Sequence, residues 1–162
     1  MSNYFEELEI GTMAELGSHT FTREEIVDFA RRFDPQPFHL DEAAAKESLF
    51  GGLCASGWHT AAVWLRLVLD YRKRQADLLT FRGERPARYG PSPGFDKLRW
   101  RKPVFVGDTL RFTTRIKDKI DSRSRPAVGL VLSENEGFNQ HGEMAFSVIA
   151  KVFVERRTPF SG

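Results

Sequence analysis

Apolar residues recur with two different periods along the chain, and the change of period divides it. Up to about residue 80 the spacing is three and four, the signature of helices with one buried face. From residue 98 onward the spacing is two, the signature of strands. In the first part, Met13 to Phe21 reads as a short strand. Thr22 and Glu25 then form a T-x-x-E capping box, in which each side chain serves the other's free backbone N–H. The helix that follows, Arg23 to Phe33, places Ile26, Phe29, Ala30 and Phe33 on one face. Pro35 ends it, because a residue before proline is pushed out of the α region. A short helix is predicted over Asp41 to Ser48, capped by Asp41. The stretch FGGLCASG follows as a loop, and a long helix begins at Trp58. Its face of Trp58, Ala61, Ala62, Leu65, Val68 and Leu69 is widened by Trp64, Leu67 and Tyr71, which predicts a largely buried helix ending near Leu78 or Thr80.

RGERPARYGPSPG (82–94) is a loop by its content of Pro, Gly and Arg. Four strands are predicted after it. Their inward faces are Leu98 and Trp100; Leu110, Phe112, Thr114 and Ile116; Val128, Leu130 and Leu132; and Met144, Phe146, Val148, Ala150, Val152 and Val154. PVFVGD (103–108) suits a bulge or turn between two of them. The fold class is therefore α+β, an antiparallel sheet wrapped against a long central helix. Such a sheet has an edge left over, and pairing it with a second copy predicts a dimer.

Length changes this picture little: 162 residues suit a single domain. Charge narrows the partners, because 24 basic against 22 acidic residues argue against nucleic acid or an anionic membrane as the main partner. A single cysteine, Cys54, excludes an intrachain disulfide and favours a reducing compartment. No apolar run approaches a membrane span, and MSNYFEELEIG lacks the regions of a secretory signal, so the cytoplasm is expected.

Candidate chemistry lies in FDPQPFHLD (33–41), where two prolines frame Asp34 and His39. Fully extended, that spacing would separate the two by about 16 Å, so the loop must curl for them to meet. A carboxylate and an imidazole gripping one water can share general acid–base work. The structural alternative is a helix-end turn at Asp34 with a packed His39. In ASGW, Ser56 can cap the long helix, which leaves the Gly57 N–H unpaired at the positive end of the helix dipole. Glycine also lets a substrate oxygen come close. Ordinary capping explains the same residues.

Together, FARRFDPQPFHLDEAAAKESLFGGLCASGW and LRWRKPVFVGDTLRFTTRI resemble the MaoC-like hydratase/dehydratase family, the (R)-specific enoyl-CoA hydratases of hot-dog fold. The resemblance spans about residues 4 to 156. It implies a single hot-dog domain and a homodimer or higher homo-oligomer, with an acyl-CoA substrate and neither metal nor cofactor. It implies that Asp34 and His39 hold the water that adds to C3 of a trans-2-enoyl thioester and pass a proton to C2, or run the reverse dehydration. The Gly57 N–H would polarise the thioester carbonyl. Three positions depart from the family pattern: Gln36 replaces its Asn, Ser56 its His, and the bulky Trp58 a small residue. Gln36, Ser56, Trp58 and Cys54 are therefore candidate substrate-binding positions, and they bear on acyl specificity.

His59 reads as a packing or surface residue, and His19 and His141 as surface residues. Trp64 and Trp100 read as core. Arg99, Arg101 and Lys102, or Arg82, Arg85 and Arg88, could meet CoA phosphates or simply face solvent. Two rival functions stay open. A hot-dog thioesterase would need a carboxylate on the long helix, and none precedes Asp70. A non-catalytic acyl-thioester-binding module would explain the three departures but not the intact Asp34 and His39.

Overall fold

The computed structural model describes residues 4–161; residues 1–3, part of the amino-terminal stretch read above, lie outside it. Five strands form one antiparallel sheet: β1 (Met13–Thr20), β2 (Phe95–Trp100), β3 (Thr109–Asp121), β4 (Val128–Phe138) and β5 (Met144–Glu155). Their order is β1-β3-β4-β5-β2, so β1 and β2 are the edges. Among the described residues, four α-helices accompany them, α1 (Arg23–Phe33), α2 (Pro37–Leu40), α3 (Glu42–Lys46) and the long α4 (Gly57–Phe81), with a 3-10 turn at Phe5–Glu7. The α+β expectation holds, with α4 lying against one face of the sheet. Phe112, Phe146 and Val148 from the strands meet Trp64, Leu67 and Val68 from the helix in the main core.

The local readings fail in three places, each for a packing reason. First, the α4 expectation was too generous. Ala61, Trp64 and Leu67 pack on the core, but Trp58, Leu65 and Leu69 are about half exposed. One sheet covers only one side of a helix, so the second apolar stripe is left uncovered. Likewise, Phe33 at the end of α1 is exposed rather than on the buried face with Ile26 and Ala30. Second, the parity of β4 is reversed. Gly129, Val131, Asn135 and Gly137 face inward, while Val128, Leu130 and Leu132 are only partly covered. The two glycines are needed there, since a Cβ on Gly129 would lie 2.3 Å from the Phe5 ring and one on Gly137 2.8 Å from Phe112. Third, Pro37–Leu40, read as loop, is a helical turn with Pro37 at its start, where a missing N–H costs nothing.

PVFVGD does form a turn, closed by the Phe105 N–H donating to Asp108 at 2.8 Å, with Gly107 at φ 86°. It also does more. The Ala55 N–H donates to Val104 O at 2.8 Å, the Val106 N–H donates to Leu53 O at 3.3 Å, and Cys54 bridges Phe105. This small ladder outside the main sheet ties the FGGLCASG loop down and delivers the chain to the start of α4.

Candidate active site

Asp34 is the residue after α1, kept out of the helical conformation by Pro35 (φ −151°, ψ 68°). Its N–H still closes the helix on Ala30 O, at 2.9 Å. The chain then curls: the Gln36 N–H donates to Asp34 O at 2.7 Å, and the α2 turn carries His39 back toward the carboxylate. His39 Nε2 lies 3.4 Å from Asp34 Oδ2. The two prolines thus do bring the pair together. The separation is too long for a strong direct hydrogen bond, and both atoms can reach one water between them.

The imidazole orientation is fixed from behind. His39 Nδ1 lies 2.7 Å from the carbonyl of Cys54. A carbonyl only accepts, so Nδ1 carries the hydrogen and Nε2 faces Asp34. The ring is buried, with Phe38 edge-on at 4.6 Å. Asp34 is held by Gln36, whose Nε2 donates to Oδ1 at 2.7 Å, and the Ser56 hydroxyl stands beside the carboxylate. Partial burial pushes the Asp34 pKa up. The Ser56 hydroxyl, the bond from Gln36 and the charge of His39 outweigh it, and the carboxyl sits below its usual range.

Ser56 also caps α4, accepting from the Trp58 N–H at 3.2 Å. It is fully buried and supports Asp34 without lining the cavity. As the first residue of the helix, Gly57 has an N–H with no intrahelical acceptor. A cavity of about 500 Å³ collects Asp34, Gln36, His39, Cys54, Gly57 and Trp58. Trp100, Arg101 and Lys102 line it too.

Several of these placements revise the sequence reading. Trp100, read as core, is 44% exposed and forms a cavity wall. Alternation alone hid this, because alternation cannot tell which end of a strand the core covers. Cys54 contributes its carbonyl; its thiol is buried and pushed up to about 11 by burial, so it is no nucleophile. Lys102 pairs with Glu143, and Arg85 pairs with Glu155. His59 is buried, stacked on Phe29 at 4.7 Å, and burial lowers its pKa. His19 is half-buried against Glu25 rather than free at the surface. Among the described residues, no group of His, Cys, Asp and Glu could hold a metal ion.

The MaoC-like domain matches residues 7–136 of this chain. The chain belongs to the MaoC-like domain family. A MaoC-like dehydratase from Rhodospirillum rubrum is 36% identical, with a TM-score of 0.79 over 96% of this chain and 99% of that one. The 3-hydroxybutyryl-CoA dehydratase of Methylorubrum extorquens is 28% identical over 153 residues, which is 91% of this chain and 85% of the relative. The (R)-hydratase PhaJ1 of Pseudomonas aeruginosa, at 21% identity, shares the fold with a TM-score of 0.64 over 98% of this chain and 92% of that one. This MaoC-like chain is thus a hot-dog protein, its sheet wrapped on one long helix. Among the described residues, no helix is long and apolar enough to cross a membrane.

Proposed function

We propose that the protein hydrates a trans-2-enoyl-CoA to a 3-hydroxyacyl-CoA, or dehydrates the latter, with Asp34 and His39 as the acid–base pair. The observation that carries this is the 3.4 Å approach of His39 Nε2 to Asp34 Oδ2 at a cavity that Gly57 also lines. The ionised Asp34 takes a proton from the water as its oxygen bonds to C3. The electron pair of C2=C3 moves onto the thioester carbonyl, where the Gly57 N–H meets the charge. The Asp34–His39 pair then returns a proton to C2 and regains its starting state. Gln36 and Ser56 keep the carboxylate ionised and aimed, and Arg101 at the cavity wall suits a CoA phosphate. The dehydratase named in M. extorquens supports this reaction class. We further propose a homodimer in the cytoplasm, formed through the β2 edge and the uncovered stripe of α4.

A thioesterase reading is disfavoured by Asp70, the first carboxylate of α4, which pairs with Arg66 at 2.9 Å and does not line the cavity. The test is the absorbance of the conjugated enoyl thioester, followed from crotonyl-CoA to longer, branched and dicarboxylic enoyl-CoAs. The wild type is expected to bleach the band and give a 3-hydroxy product. Asp34→Asn is expected to be slower by about 10²–10⁴-fold. Full activity in Asp34→Asn would sink the mechanism; release of free CoA thiol would point to the thioesterase.

A further inference from the structure

We propose that Trp100 is a positioning residue for the thioester-carbonyl site, clamping the first turn of α4 so that the Gly57 N–H faces the bound carbonyl. The proposal rests on the hydratase reading above and names a residue outside the acid–base pair. Trp100 Nε1 donates to Gly57 O at 2.7 Å. The indole lies flat over the glycine: a Cβ there would fall 2.4 Å from Cε2 and 2.6 Å from Cδ2 and Nε1. Gly57 is not among the residues at positive φ, so its backbone conformation does not itself require glycine. What excludes a side chain is Trp100.

The clamp answers a physical need. Glycine is the loosest residue in the chain, and the first turn of a helix is its least restrained part. A donor mounted there wanders unless something fixes the peptide next to it. The Gly57–Trp58 peptide is gripped at both ends, with its N–H on Ser56 Oγ at 3.2 Å and its carbonyl on Trp100. Trp100 is itself aimed. The β2–β5 register shifts between Asp96 and Arg99, with Lys97 at φ 51° inside that step. Bulges of this kind re-aim side chains beside active sites. Beyond it the strand is locked again, with the Arg101 N–H on Ala145 O at 2.8 Å. Core packing is not the explanation for this indole, since it is 44% exposed and its aromatic neighbour Trp58, at 5.1 Å, is more exposed still.

Trp100→Phe keeps the ring and removes the N–H donor. Loss of a whole oxyanion donor costs 10²–10³ in kcat, so a misaimed donor is expected to cost about tenfold. KM is expected to stay within about twofold, as for an interaction made in the transition state. Gly57→Ala is expected to melt lower than wild type, and Gly57→Ala with Trp100→Ala to recover part of that loss. A readout independent of turnover uses Asp34→Asn protein and crotonyl-CoA. The Gly57 amide resonance is expected to shift on binding, and the shift to shrink when Trp100→Phe is added. An unchanged kcat in Trp100→Phe, or a Gly57 amide indifferent to the thioester, overturns the proposal. A Trp100-dependent Gly57 shift in a wild type that never hydrates any enoyl-CoA would instead overturn the hydratase reading and leave Trp100 at the carbonyl site.

Discussion

The Ser56 hydroxyl accepts from the Trp58 N–H and, beside the Asp34 carboxylate, lowers its pKa. Ser56→Ala should therefore show two separable effects. Loss of the cap is expected to cost about 0.5–2 kcal/mol of stability, read by denaturant titration. Loss of the hydroxyl beside Asp34 lets its pKa rise, so the acidic limb of the kcat/KM profile is expected to move to higher pH. A carboxyl whose folded-state pKa is lowered contributes stability above its unfolded value and loses it as pH falls through the folded one. Asp34→Asn should flatten that part of the stability curve, and an unaltered curve would mean the carboxylate is not held as described. Cys54, raised to about 11 by burial, is expected to react with iodoacetamide only when the protein unfolds. Rapid labelling of the native protein would contradict that.

Helices were legible where a residue type forces the backbone. Pro35 ended α1, Asp41 capped α3 through the Ala44 N–H at 2.8 Å, and Asp34 and His39 met because two prolines bent the path. The Thr22–Glu25 capping box formed only by half. Thr22 accepts from the Glu25 N–H at 3.3 Å, but the Glu25 carboxylate turns to His19. Strand parity was illegible in β4 because two of its inward positions are glycines that make room for Phe5 and Phe112 and a third is Asn135, none of which carries a hydrophobic signal. Gly129→Ala is expected to destabilise by about 1–3 kcal/mol through overpacking against Phe5. At this chain length, each kcal/mol lowers Tm by about 2–4 °C. An unshifted melting curve would show that Phe5 moves aside freely. The Trp100–Gly57 contact was illegible for another reason: it joins positions far apart in sequence across a bulge that alternation does not announce.

At the scale of the molecule, the apolar residues that the described chain leaves uncovered include Trp58, Leu65 and Leu69 on α4, and Phe95 with Trp100 on the edge strand β2. An edge with unpaired backbone groups beside an apolar helix face is a template for a second copy. Leu65→Glu together with Leu69→Glu is expected to convert a dimer to a monomer in sedimentation velocity. A wild type that sediments as a monomer would refute the proposed assembly. The same architecture divides labour along the chain. The groups proposed to move protons or meet the carbonyl, with the Gln36 and Ser56 that hold them, fall between Asp34 and Gly57. The later chain contributes walls such as Trp100 from β2 and Val104 from the PVFVGD turn, and that turn is tied to the FGGLCASG loop by the small ladder. That ladder is made of backbone bonds, which any residue except proline can supply on its N–H side. Mutation can therefore remodel the cavity walls other than Trp100 while the segment from Asp34 to Gly57 keeps its footing. On the proposed reaction, preference for one acyl group and competence for the chemistry are separately heritable traits except at Trp100, where the two meet.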